Sequence, residues 1–219
     1  MENALLATSS PHIRGRESTS RIMLDVIIAL MPAAIASIIF FGIKALLLII
    51  VTVAVCVASE HITAKILRKE SPVKDLSAVV TGILLAFNLS PEVPLWVAAL
   101  GGIFAIVVVK QLFGGLGHNF VNPALAARAF LMASWPVPMT TWTAPGTDGV
   151  SAATPLALIK SGTEATGTLP QFIDLFLGNV GGCIGETSAL ALLIGAAYLL
   201  AKRIIDWRIP TGFLGALAL

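Results

Sequence analysis

The sequence predicts an all-α, polytopic membrane protein, a transporter-like helical bundle in which some helices are short or broken. Three observations carry that prediction. Hydrophobic residues make up 57% of the 219-residue chain and charged residues only 12%, about half the charged content of soluble domains. The apolar segments are too long and too numerous to be the core of a soluble domain, since ~20 residues already cross a bilayer. Glycine and proline interrupt two of them, and irregular backbone at membrane depth is tolerated only where it lines a cavity or is buried in protein. Mean hydropathy is +0.92. A net charge of +2 leaves no basic face for nucleic acid. No cleavable signal peptide is expected: the stretch from Ser9 to Ser20 is polar, and the apolar run behind it is too long for a signal core.

The elements follow in order as about seven apolar segments. Residues 1–21 form a polar amino-terminal segment. The first span runs from Ile22 to Phe41 and the second from Lys44 to Ile66, with a tight turn at Gly42 between them. A charged loop from Arg68 to Asp75 precedes Leu76 to Leu89, which is short for a full crossing and ends in Asn88-Leu-Ser-Pro-Glu-Val-Pro94; it reads as a partial or broken helix. Pro94 to Phe113 is again a full span, interrupted at its end by Gly114-Gly-Leu-Gly117. Pro123 to Trp135 is a second short segment, with Pro123 suited to a first helical turn because its missing N–H has no partner there. Residues 136–182 are mostly polar, rich in Thr, Gly and Pro, and form a folded loop with one amphipathic piece, Leu169 to Leu177. Ser188 to Leu200 is a further span, and Pro210 to Leu219 begins another.

Charge placement orients this arrangement, because Lys and Arg concentrate in short cytoplasmic loops. Arg14, Arg16 and Arg21 precede the first span, Lys65, Arg68, Lys69 and Lys74 follow the second, and Lys202, Arg203 and Arg208 follow the late one. All three clusters share a side if each segment crosses once. The loop at 136–182 carries Lys160 as its one cation and falls on the opposite, outer side.

Polar residues inside this apolar frame are the candidates for function. Gly114-Gly-Leu-Gly-His-Asn-Phe-Val-Asn-Pro123 joins flexible backbone to His118, Asn119 and Asn122; it reads as a helix connection with close packing or positive φ, or as polar contact with a cofactor or ion. It is not a phosphate loop, since no Gly-Lys-Ser/Thr follows. Asp148-Gly-Val-Ser-Ala-Ala-Thr154, directly before Pro155, reads on its own as a turn and helix cap. Asp25, Glu60, His61, Arg128 and Glu186 lie in or at the ends of spans, where ionisable groups are costly and face a bundle interior or water. Asp25 sits at the mouth of the first span, as an interfacial or ion-path residue. Glu60 is an ion-path or structural residue, and Arg128 is placed to neutralise a phosphate or pair with Glu186. Cys56 and Cys183 are far apart and outside any metal-ligand spacing, so they read as small buried residues and no metal site is expected.

Together these stretches resemble a known family: the D subunit of the Rnf ion-translocating ferredoxin:NAD oxidoreductase and its relative, the B subunit of the sodium-pumping NADH:quinone oxidoreductase. The resemblance runs through Ser10-Pro-His12, Ile22-Met-Leu-Asp25, Gly114 to Ala124, Ala127-Arg-Ala-Phe130, Ile184-Gly-Glu-Thr-Ser188 and Trp207-Arg-Ile-Pro210. The short amino terminus is closer to the Rnf subunit. The resemblance implies a covalent flavin: a flavin transferase links FMN through its phosphate to a threonine in the motif Asp-x-x-Ser/Thr-Gly/Ala-Ala-Thr/Ser. Here that threonine is Thr154, with Asp148 and Ser151 at recognition positions and Ala152 where glycine is common. Riboflavin or a further flavin is an additional implied group. A corresponding acid to Glu60 also occurs in the family.

The resemblance further implies an inverted repeat, with residues 22–135 as the first transmembrane repeat and 183–219 as the start of the second, ending early relative to the family. It places the flavin-bearing loop, 136–182, outside the cytoplasmic membrane of a bacterium or archaeon. The implied partners are the other Rnf-type membrane and peripheral subunits, the flavin transferase during maturation, and lipid. Electrons from reduced ferredoxin would reach the flavin on Thr154 and return towards NAD, coupled to Na⁺ or H⁺ transport. A secondary transporter or channel without a redox cofactor, or a structural anchor subunit, are the competing readings; neither has use for a bound flavin.

Overall fold

The structure, a computed structural model, describes residues 18–67, 75–145, 154–160 and 170–218. Helix α1 spans Thr19–Ile66 and begins at Ser18, whose hydroxyl accepts from the Arg21 backbone N–H. Its 48 residues would measure about 72 Å if straight, more than twice the ~30 Å of a hydrocarbon layer. Gly42 breaks it, at φ 65° and ψ −146°, a backbone region open essentially to glycine alone. The two apolar segments expected on either side of Gly42 are therefore the two arms of α1. Among the described residues α1 is the element long and apolar enough to cross a membrane as a single helix.

The remaining apolar helices are shorter. They are α2 (Ser77–Phe87), α3 (Leu95–Ile103, continuing as a π-helix over Phe104–Gln111), α4 (Pro123–Ser134), α8 (Ala189–Ala201) and α9 (Arg208–Ala218). Between α4 and α8 lie three short helices, α5 (Pro136–Thr140), α6 (Pro155–Lys160) and α7 (Phe172–Leu177); α7 falls inside the amphipathic piece expected there. Asn122 caps α4 by accepting from the backbone N–H groups of Ala124 and Leu125, with Pro123 at the first helical position. Ser188 caps α8 in the same way through Ala191. At the far end of α8, Ile204 N–H bonds the Leu199 carbonyl and Arg203 N–H that of Leu200, a closing turn that sets Arg203 at φ 57°.

Helix α1 packs against α2, α3 and α8. It presents small residues to them: Ala29, Ala33, Ala34, Ser37 and Ala45 are buried. Its other face carries the bulk, with Leu24, Ile28, Met31, Ile35 and Ile39 exposed along one stripe. Close backbone approach explains the division. A Cβ on Gly195 of α8 would lie 2.1 Å from the Ala29 carbonyl oxygen, and one on Gly82 of α2 would lie 2.7 Å from the Val53 Cα. Without a hydrophobic drive between helices in lipid, such close packing is what holds them together.

The break after α2 is met by a second irregular segment. Ile184 and Gly185 donate their backbone N–H groups to the carbonyls of Leu89 and Phe87, and Cys183 is fully buried beneath them. Peptide groups that a bilayer could not satisfy are thus satisfied by each other.

Candidate functional site

Two polar regions stand at opposite ends of the bundle. At one end, Thr154 immediately precedes α6, and its Oγ1 accepts from the Ala157 N–H at 3.2 Å. The hydroxyl sits on the wall of a recess of about 410 Å³. Trp142, Pro155, Leu156, Leu175 and Val180 give this recess apolar walls, Gly181 and Gly182 bring bare backbone to it, and Glu186 and Thr187 supply polar groups. Asp148 and Ser151 lie outside the described residues. Arg128 approaches from α4: its Nη1 donates to Asn88 Oδ1 at 2.9 Å and stands 3.7 Å from Glu186 Oε1. Arg128 therefore pairs with Glu186 at the edge of the recess, one of the two roles open to it from sequence.

At the other end, Glu60 of α1 is fully buried and meets Lys110, which is 2% exposed. The Lys110 ammonium donates to Glu60 Oε1 at 2.5 Å and to Ser77 Oγ at 2.5 Å. The Gln111 amide adds a second donor to the same Glu60 oxygen, at 3.1 Å. Ser77 Oγ in turn donates to Asp75 Oδ1. Glu60 Oε2 is buried with no hydrogen-bond partner. The π-helical hydrogen bonding that ends α3 brings the adjacent Lys110 and Gln111 inward together, and such widened turns concentrate at functional sites. Beside the pair lies a cavity of about 140 Å³ lined by Lys110, Ser77, Thr81, Leu116, Asn119 and Asn122 among others. His118 is exposed, and the glycine run around it takes positive φ at Gly114, Gly115 and Gly117.

Asp25 belongs to a separate cluster. It accepts from the Tyr198 hydroxyl at 2.7 Å and stands 3.7 Å from the Lys202 ammonium, tying the start of α1 to the end of α8. Among the described residues no group of three or more His, Cys, Asp or Glu is placed to hold a metal ion.

Residues 6–219 match the NQR2, RnfD, RnfE family. The chain belongs to that family. Among its relatives is the D subunit of the Na⁺-translocating ferredoxin:NAD⁺ oxidoreductase complex of Acetobacterium woodii, 56% identical over 218 residues, which are 98% of this chain and 68% of that one. The D subunit of the proton-translocating ferredoxin:NAD⁺ oxidoreductase complex of Clostridium ljungdahlii is 40% identical over 227 residues, covering 100% of this chain and 69% of that one. The D subunit of the ion-translocating oxidoreductase complex of Vibrio cholerae is 38% identical over 253 residues, at 98% and 72%.

Within this family member, the sequence reading singles out Glu60 and passes over its partners Lys110 and Gln111. Lys110 lies in the apolar run Pro94 to Phe113, where a lysine inside a span is itself the signal of a buried counter-charge. The recess residues Trp142, Gly181 and Gly182 carry no such signal, because their only common property is that folding places them around Thr154.

Proposed function

We propose that this chain is the D-type membrane subunit of an ion-translocating ferredoxin:NAD⁺ oxidoreductase complex and carries FMN joined through phosphate to Thr154. The observation that carries the reading is the position of Thr154 on an apolar-walled recess with a tryptophan, bare glycine backbone and a paired carboxylate around it. Those residues fit a flat aromatic group tethered at the hydroxyl: Trp142, Leu156, Leu175 and Val180 would flank its faces, while Gly181 and Gly182 would admit it close to the main chain. When bound, the flavin supplies one- or two-electron transfer, and the protein supplies position and redox tuning. Glu186 stands 3.7 Å from Arg128, so the recess has a charge-paired carboxylate at its rim. On this reading the recess faces the outer side of the cytoplasmic membrane, and the complex moves Na⁺ or H⁺, as the names of its relatives state for theirs.

The test is intact mass. Wild-type chain made with its complex and an active flavin transferase should exceed its sequence mass by one FMN less water and keep flavin fluorescence after acid precipitation. Thr154→Val should insert, assemble and lose both signals, and Asp148→Ala should reduce modification. Absence of covalent flavin from the wild-type chain under these conditions would overturn the reading and put a transporter without a redox group ahead. Sidedness has its own test. A cysteine at Lys160 should react with an impermeant reagent from the outer side of intact cells. Cys56 and Cys183 are buried and give a low background; labelling of Lys160→Cys only in inverted vesicles would reverse the topology.

A further inference from the structure

The Glu60 carboxylate is unevenly used. One oxygen takes both donors, from Lys110 and Gln111, and the other takes none although it is buried. A buried acceptor left bare is costly, and a charged one more so. The bare oxygen is the natural seat of a small cation or a proton. The positive charge bonded to Glu60 is the Lys110 ammonium, with Asp75 beyond Ser77 and the Cys56 thiol one turn earlier on α1. Adding a cation while the ammonium stays in place would leave excess positive charge in a buried, low-dielectric site, where each ion already loses several kcal/mol of hydration. The two cations therefore exclude each other.

Lys110 has somewhere to go. Its ammonium already donates to Ser77 Oγ, and Ser77 lines the cavity beside the pair. That cavity of about 140 Å³, with the polar side chains of Thr81, Asn119 and Asn122 in its wall, is large enough for a four-carbon stem to change rotamer. We propose that Lys110 is a tethered counter-cation of Glu60: a monovalent cation, Na⁺ or H⁺, loads on Glu60 only when the ammonium swings from the carboxylate into this cavity. The closed pair is the ion-free state, and the swing is the two-state element that loading biases. The inference rests on the reading that the complex translocates ions, and it adds the residue that holds the site shut.

The experiment measures bound cation in the purified complex rather than turnover, so Thr154→Val, which tests the flavin, should leave every readout unchanged and the two readings fail separately. Equilibrium binding of radiolabelled sodium should show the half-saturating concentration falling at least about tenfold in Lys110→Met, because the built-in competitor is gone. Glu60→Gln and the double variant should abolish that binding. Lys110→Arg should weaken it, since a guanidinium can hold both carboxylate oxygens. If H⁺ is the cation, sodium binds none of them, and the infrared carboxylic-acid band of Glu60 should gain intensity in Lys110→Met over wild type and vanish in the double variant. A pair that is only structural would lower assembly in the single variants yet leave the surviving complexes with wild-type sodium affinity; that result overturns the proposal, as does sodium binding that is present in wild type and unchanged in Glu60→Gln or, where no sodium binds, the absence of a gain in that band in Lys110→Met. The neutral double variant retains no uncompensated charge, so it separates loss of binding from failure to assemble.

Discussion

Gly117 holds φ at +84° with no heavy atom within 4 Å of where a Cβ would sit. Of the two reasons for glycine in this run, close packing and positive φ, the structure selects the second at this position. The cost of substitution should then follow backbone preference and not size. Gly117→Asn should be tolerated best, Gly117→Ala should cost about 1–2 kcal/mol, and the β-branched Gly117→Val more. Thermal unfolding of the assembled complex orders the three, and a valine variant with the stability of the wild type would refute the account. Glu60 was legible in the sequence, because an acid in an apolar run is conspicuous by itself. Lys110 is conspicuous for the same reason, but that Glu60 is its partner, fifty residues away, is encoded by no local pattern. Thr154 is singled out by family resemblance alone, since a threonine before a proline is otherwise a helix cap, and the structure shows its Oγ1 accepting from Ala157.

Helices in this chain are defined by where they stop. The break at Gly42 follows from sequence, because 48 residues of near-continuous helix cannot fit one crossing. Gly42→Ala forces a Cβ into φ 65°, ψ −146°, at about 1–3 kcal/mol of strain, and the relief available is to straighten α1. A reporter fused after Lys65 should then appear partly on the wrong side of the membrane. Wild-type sidedness with Gly42→Ala would show that the turn survives without glycine. The early end of α2 was also legible, from Asn88 to Pro94. What covers that end was not: the docking of Ile184 and Gly185 on Phe87 and Leu89 joins segments nearly a hundred residues apart. The π-helical end of α3 was equally hidden, since Phe104–Gln111 reads as ordinary apolar helix.

Over the whole molecule, many large apolar residues are exposed around a core that mixes alanines with Leu48, Leu85, Leu89, Ile106 and Leu131. Along the first arm of α1 the division is sharper, with small residues towards the other helices and large ones outward. Ala33, 4% exposed, and Ile35, 52% exposed, are two positions apart on α1 and should respond oppositely to a change of volume. Ala33→Leu should lower thermal stability of the complex by the equivalent of about 1–3 kcal/mol, whereas Ile35→Ala should change it by less than about 0.5 kcal/mol, a typical surface value. Equal sensitivity at both sites would mean that the Ile35 face is a tight subunit interface instead of a lipid-facing one.

The closing turn of α8 puts Arg203 at φ 57°, the position where helices ordinarily end in glycine. A non-glycine residue there gives up about 1 kcal/mol, so Arg203→Gly should leave the finished protein slightly harder to melt. On the proposed topology the arginine would act earlier than folding: during insertion its charge beside Lys202 would hold this end of α8 on the cytoplasmic face, and the strained turn would be a fossil of biogenesis.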